Sequence, residues 1–279
     1  MLLYWKQAAG RRTESRLNQH VAEPRATVLT TAEFFASVHS LSPTVAVFDC
    51  DGTLWSGDAG SSFMRWTIES GLLSPQATAW INGRYDGYNR GQVSELDICG
   101  EMVQVYEGIP IATLRSAAAE FFKQLVEANI FPEMAHLIAD LQNKGVDIWA
   151  VSSTCDWVIE EGVKRFNIPA NRVLAACVEP SGEGAQAVAT ARLRDVPTDQ
   201  GKVDALHRAG IHRPDAVFGN SVHDAHMLAI ARNPQGNSGA FPVNPSADLV
   251  RRSAAEGWSV YYPASVAPVS SPASTASAN

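Results

Sequence analysis

Thr44 to Leu54 reads T-V-A-V-F-D-C-D-G-T-L, and this stretch constrains the fold more than any other in the chain. Val45-Ala46-Val47-Phe48 is a short apolar run rich in β-branched and aromatic residues, the pattern of a strand buried on both faces. Such strands belong to parallel sheets covered by helices on either side. The run stops on Asp49, Asp51 lies one residue beyond, and Gly52-Thr53 follow as turn chemistry. In an open parallel sheet this is the crevice edge where ligands bind. Two carboxylates so placed repel each other, so they need a cation or a shared proton to coexist. A divalent metal that prefers oxygen meets that need, and Mg²⁺ is the usual one when the substrate is a phosphate. Asp and Gly also build plain surface turns, so the D-x-D-G-T string does not stand alone.

A chain of 279 residues, 46% hydrophobic, has room for one large domain or for one domain with an insert. With 22 basic against 29 acidic residues the net charge is −7, which disfavours nucleic acid or an anionic membrane as the main partner. A local pocket for a small anion is compatible with that balance. Cys50, Cys99, Cys155 and Cys177 form no C-x-x-C pair, so neither a zinc site nor a disulfide framework is indicated. Met1 to Trp5 is too short for a signal sequence and no stretch approaches a membrane span, so a cytoplasmic protein is expected. Residues 1–29 read as a loose extension, and the Ser/Ala/Pro-rich tail, 264–279, as disordered.

Thr30 and Glu33 make a capping box for a short helix carrying Phe34, Phe35 and Val38 into the first strand. After Leu54 strand signals vanish until Val146, and helical stretches fill the interval: 62–70, 76–88, 94–106 and 111–127. So long a block between two strands is an insert, expected to form a cap domain over the carboxylates, residues 55–130. The core then comprises 30–54 and 131–263. Pro132 opens a helix that ends at Lys144-Gly145. Val146 to Val151 is the second core strand, expected to break into Ser152-Ser153-Thr154 at the start of the next helix. Hydroxyls and free amides there would cradle a phosphate, or serve only as a helix cap. Strands are expected at 172–177, 215–218, 238–242 and 258–262, with a hairpin or Gly-containing excursion between 179 and 196.

Lys202 sits near the start of a helix, where the dipole favours anions, which suggests an amine aimed at a negative group. An exposed lysine is the plainer alternative. Polar groups recur after the strand 215–218, as Gly219-Asn220-Ser221-Val222-His223-Asp224. Strands alternating with helices predict an α/β fold, a Rossmann-like parallel sheet with helices on both faces. In that sheet the acids, the hydroxyls and the amine converge on one carboxyl edge.

The combined order, over roughly Val45 to Ala231, resembles the haloacid dehalogenase superfamily of phosphatases, and within it the branch similar to phosphoserine phosphatase. The resemblance implies that Asp49 is the nucleophile and Asp51 the general acid and then base. It implies that Ser152 and the Ser153 amide bind the phosphoryl group, that Lys202 neutralises charge, and that Thr53 steadies the loop. Mg²⁺ would be held by Asp49, by the backbone carbonyl of Asp51 and by the fourth motif, where Asn220 replaces the usual acid and Asp224 is the nearest compensation. Asp58 and Arg65 would meet the substrate, with Arg84, Tyr85 and Arg90 as further candidates for a carboxylate. The expected activity is Mg²⁺-dependent hydrolysis of a small phosphorylated metabolite, phosphoserine or similar, through an aspartyl phosphate. The alternatives are a metal-independent 2-haloacid dehalogenase, which has no use for Asp51, and a weakened phosphate-binding regulatory protein.

Overall fold

A computed structural model of the chain describes residues 25–232, 235 and 238–266. The central sheet has six strands in the order β5-β4-β3-β2-β6-β7, where β2 is Val45–Phe48, β3 Asp147–Cys155, β4 Val173–Val178, β5 Leu193–Asp195, β6 Ala216–Gly219 and β7 Ala240–Pro242. All neighbours are parallel except β5, which runs antiparallel to β4 at the edge.

Successive residues of a strand face opposite sides, and here both sides are apolar. Ala46, Phe48, Ile148, Ala150, Ala216 and Phe218 join the larger core cluster, whereas Val47, Trp149, Val151 and Val217 join a second one across the sheet. Helices α1 (Thr31–Ser40), α6 (Pro132–Asn143) and α7 (Asp156–Val163) contribute to the first cluster; α8 (Gln200–Arg208), α9 (Ala225–Ala229) and α10 (Ala247–Glu256) contribute to the second. Neighbouring strands align their aromatic rings: Phe48 stacks on Phe218 with centroids 4.2 Å apart, Phe218 on Phe241 at 5.2 Å, and Phe34 of α1 on Tyr261 at 4.1 Å. The Thr30–Glu33 capping box forms as expected from the sequence.

Between β2 and α6 stand the four α-helices of the insert, α2 (Ala59–Glu69), α3 (Pro75–Asn89), α4 (Glu95–Gln104) and α5 (Ile111–Phe121). Asp58, Ser74 and Ser94 cap the first three, each accepting a backbone N–H from three residues on. The insert shares one continuous hydrophobic cluster with the sheet, since Phe63, Tyr106, Phe121 and Phe122 belong to the same cluster as Phe48. It is also tied to the excursion after β4. Gly108 and Ile111 donate to the carbonyls of Ala189 and Ala187, and Ala189 donates to that of Ile109, at 2.8–2.9 Å.

Several details differ from the sequence reading. β3 does not break at Ser152 but continues to Cys155, because a register shift opposite β4 lets the chain carry Ser152, Ser153 and Thr154 within an irregular strand. Helix α7 then starts at Asp156, after the hydroxyl cluster rather than within it. The expected helix 111–127 ends as α-helix at Phe121 and continues as a π-turn over Phe122–Val126 and a 3₁₀ turn over Glu127–Asn129. The end of the N-terminal segment is ordered: β1 (Val28–Leu29) pairs in parallel with β8 (Val260–Tyr261) as a small second sheet. Residues 264–266 form a turn anchored by the Ala264 N–H on Glu133 Oε1 at 2.8 Å. The readings of residues 1–24 as a loose extension and of 267–279 as a disordered tail lie outside the described residues. Among the described residues no helix is long and apolar enough to cross a membrane.

Candidate active site

The loop after β2 closes tightly: Thr53 and Leu54 both donate to the Cys50 carbonyl, and Gly52 donates to that of Trp55. Gly52 has φ +72°, and a Cβ on it would lie 1.8 Å from the Asn220 amide, so the fourth-motif side chain packs directly on the first loop. Asp49 leaves this loop into a buried position, 5% exposed. Its Oδ2 accepts from the Thr53 hydroxyl at 2.8 Å and its Oδ1 from Lys202 Nζ at 2.7 Å.

Lys202 lies in the first turn of α8, after Asp199, whose backbone is held at φ 50° and ψ −125°. That unfavourable conformation sits where the chain turns into the helix that delivers the lysine. Nζ is buried against Asp49, against Asp224 Oδ1 at 2.5 Å, and within 3.4 Å of the Val151 carbonyl. Asp224 is fully buried, and its second oxygen accepts the backbone N–H groups of Asn220 and Ser221, each at 2.9 Å. Both oxygens of Asp224 are therefore engaged. The residue anchors Lys202 and the loop after β6.

Asp51 turns away from Lys202. Its Oδ1 accepts from Trp55 Nε1 at 2.6 Å and from the Ala59 N–H at 2.9 Å, and its Oδ2 accepts from the Thr154 hydroxyl at 2.7 Å. Burial, and then the charge of Asp58, push this carboxyl up to about 6, against the pull of its donors. Burial, and then the charge of Asp224, push Asp49 up to about 7, with Lys202 opposing. For Lys202 itself burial would lower the pKa, but Asp224 and Asp49 overrule it and hold the ammonium charged. One ammonium thus faces more carboxylate charge than it neutralises.

Asp49, Asp51, Ser152, Ser153, Thr154, Lys202 and Asn220 line one cavity of about 250 Å³, and the insert closes it with Tyr85, Tyr88, Glu95 and Met102. Thr53 supports this wall from behind through Asp49. Ser152 is buried and its Oγ accepts the Thr154 N–H at 3.1 Å. Asp58 stands at the mouth, caps α2 through the Ser61 N–H, and is exposed. Arg65 is not among the residues that line the cavity: its exposed guanidinium lies over the Tyr85 ring, 5.6 Å from the centroid, and donates to the Tyr85 hydroxyl at 3.4 Å and the Ser61 hydroxyl at 3.2 Å. Arg84 is bound by both oxygens of Glu101, and Arg90 by Gln92. A larger groove of about 440 Å³, between the start of α3 and the end of α4, contains none of these groups.

Sequence reasoning assigned no individual role to Thr154, Trp55 or Glu95, and gave His223 none. Trp55 and Thr154 act on an acid named from its spacing. Their own signals, an indole four residues after Asp51 and a hydroxyl at the end of β3, were present in the sequence but unspecific.

The oxygen-rich donor chemistry fits a hard cation. Among the described residues no group of three or more His, Cys, Asp or Glu side chains is arranged to hold a metal. Asp49, the main-chain carbonyl of Asp51 and the Asn220 amide oxygen remain as donors of the right kind, beside surplus negative charge.

A parallel sheet whose carboxyl edge carries an acid pair, a buried lysine and strand-end hydroxyls defines a hydrolase of the α/β class with an inserted helical block. The chain belongs to the haloacid dehalogenase-like hydrolase family, whose model matches residues 46–229. Among solved structures, a protein of unknown function from Bordetella pertussis Tohama I is similar over 78% of this chain and 97% of its own, with 20% identity and a TM-score of 0.65. A probable phosphoserine phosphatase from Vibrio cholerae, in unliganded form, is similar over 79% of this chain and 60% of its own (14% identity, TM-score 0.56). A substrate-bound phosphoserine phosphatase is similar over 79% and 93% (13% identity, TM-score 0.51). At such identities the likeness is one of fold. No curated protein matches the chain.

Proposed function

We propose that the protein is a Mg²⁺-dependent phosphatase of small phosphomonoesters. The observation that carries the reading is the placement of two acids in one cavity with opposite surroundings: Asp49 on an ammonium, Asp51 among neutral donors. Burial raises both carboxyls, but the ammonium in contact with Asp49, joined by a bound cation, favours its ionised form as nucleophile, whereas Asp51 has no ammonium in contact and holds its proton for the leaving group. In the first half-reaction an Asp49 oxygen forms a bond to phosphorus, the bond from phosphorus to the ester oxygen breaks, and Asp51 gives its proton to the departing alkoxide. In the second, Asp51 takes a proton from water, the water oxygen bonds to phosphorus, and the bond to Asp49 breaks to release phosphate.

Lys202 stays charged throughout and offsets the charge shared between Asp49 and the phosphoryl oxygens, with Ser152 and the Ser153 amide as further donors. Asp224 holds Lys202 in register. Asp49, the Asp51 carbonyl and Asn220 would hold Mg²⁺, which when bound supplies positive charge against the phosphoryl oxygens. The inserted helices act as a cap that excludes bulk water.

Asp51 also separates this reading from a dehalogenase. Halide leaves without a proton, so the network of Trp55, Ala59 and Thr154 around Asp51 would have no purpose there. The test is release of phosphate from p-nitrophenyl phosphate with added Mg²⁺, expected in the native chain and absent in Asp49→Asn. Halide release from a 2-haloacid without metal would replace the proposal with the dehalogenase.

A further inference from the structure

The part of the cavity wall that the insert supplies is built for a positive charge. Glu95, at the start of α4, has a side chain 19% exposed. Its Oε1 accepts from the Cys99 thiol at 3.4 Å, its Oε2 is buried with no partner in hydrogen-bonding range, and the Tyr88 hydroxyl, raised by burial and then by this carboxylate, is its neighbour. His223 Nε2 lies 3.9 Å away, beyond hydrogen-bonding range, and the other nitrogen of that ring is 2.9 Å from Asp199 Oδ1. A carboxylate oxygen withdrawn from water and left without a donor is costly, and it persists where a ligand brings the donor. Tyr85 and Tyr88, with centroids 6.0 Å apart, form the adjoining wall, and aromatic faces attract cations. Asp58 adds a further negative charge at the mouth.

The complementary feature for a carboxylate is missing. Among the described residues that line the cavity Lys202 is the one Lys or Arg, and both Asp49 and Asp224 already hold it. The cavity volume, about 250 Å³, admits only a small ester.

We infer that Glu95 is a specificity-determining residue, and that the ester's alcohol portion carries a primary ammonium that donates to Glu95 Oε2 beside Tyr88. The substrate class is then a phosphorylated small amino alcohol without a carboxylate. This inference rests on the phosphatase reading for its phosphate end, and on Glu95 alone for its cationic end.

The experiment compares phosphoethanolamine with propyl phosphate, its uncharged isostere, and with phosphoserine, in the full-length protein with Mg²⁺. The kcat/KM ratio of phosphoethanolamine to propyl phosphate is expected to be about tenfold or more, as a charged hydrogen bond implies, with phosphoserine the poorer of the two amines. In Glu95→Gln the ratio should fall to within about threefold. Binding of the same esters to Asp49→Asn, followed by calorimetry, should show the same preference and its loss in Asp49→Asn/Glu95→Gln. A ratio near one in the native protein, or one that Glu95→Gln leaves intact, overturns the inference. If p-nitrophenyl phosphate is hydrolysed while the ratio is one, the phosphatase reading survives and the cation site falls. If no ester is hydrolysed yet phosphoethanolamine binds through Glu95, the cation site survives without the phosphatase.

Discussion

The Thr154 hydroxyl donates to Asp51 Oδ2 at 2.7 Å, joining residues 103 positions apart in the chain. This bond, together with those from Trp55 and Ala59, fixes the direction of the carboxyl that would serve the leaving group. Thr154→Val removes the hydroxyl and keeps the β-branched shape. Hydrolysis of alkyl phosphates, whose alkoxide must be protonated, should slow by roughly 10- to 100-fold, within the range of general acid catalysis. Aryl phosphates, with better leaving groups, should slow much less. Steady-state rates on the two ester classes check this, and an equal loss on both would show that Thr154 merely packs.

Lys202 is enclosed by Asp49 and Asp224, with its side chain 3% exposed. Removing one partner of a buried ion pair leaves uncompensated charge, so Lys202→Met should lower stability by about 3 kcal/mol as well as abolish turnover. Urea denaturation measures the first effect. An unchanged midpoint would mean that the two carboxylates take up protons at no cost, contrary to the arrangement described.

Asn220 contributes an amide where a carboxylate would add negative charge, and its side chain packs on Gly52. Asn220→Asp should tighten Mg²⁺ binding by roughly tenfold, because ligand charge tunes the affinity of such sites. Calorimetric titration of Mg²⁺ reads this without any turnover. An unaltered Kd would remove Asn220 from the donor set.

The sheet was legible because each buried strand advertises itself: Val45 to Phe48 and Asp215 to Phe218 are apolar runs that stop on polar residues. The acids were legible for the same reason, since the end of a parallel strand is the ligand edge, and Lys202 because an amine near a helix start opposes the dipole. The course of β3 was not, because Ser152 to Thr154 carry the composition of a cap, and only the shifted pairing with β4 retains them in the strand. β1 escaped notice because a strand of two residues has no periodicity to read. The hold of Asp224 on Lys202 and on the loop after β6 was not legible either, because spacing places an acid in a loop without revealing which donors it meets. Glu95 lay hidden because an acid in the first turn of a helix is ordinary there, and its lack of a partner is a tertiary fact.

Asp215 provides the contrast of an acid with a structural task. Its Oδ2 accepts from the Thr44 N–H, the Thr44 hydroxyl and the Val45 N–H, which fixes the amino-terminal ends of β2 and β6. Asp215→Ala should cost about 2 kcal/mol in urea denaturation by leaving those donors unpaired. Because this edge of the sheet is opposite the cavity, kcat of the folded fraction should stay within about twofold. A large drop in kcat would link the two edges.

Asp156, at the start of α7, supplies a pH-dependent term of calculable sign. Burial, and then the charge of Glu160, raise its carboxyl to about 6, although Arg115 opposes them, and its Oδ1 is buried without a partner. Arg115 is bound to Glu160 rather than to Asp156. In the unfolded chain the group ionises near 3.8. Between that value and about 6 the folded state holds a proton that the unfolded state has released, so the contribution of this group to stability declines as pH rises through the window and is level above it. Asp156→Asn removes the decline. The variant and the native protein should be nearly equal in stability at the acidic end of the window and diverge with increasing pH, the variant ahead by about 1 kcal/mol at neutrality once partial exposure is allowed for. Urea denaturation from pH 4.5 to 7 gives the difference curve, in which the titrations of Asp49 and Asp51, common to both proteins, largely cancel. A difference that is constant with pH would mean that Asp156 is paired and ionised in the folded protein throughout.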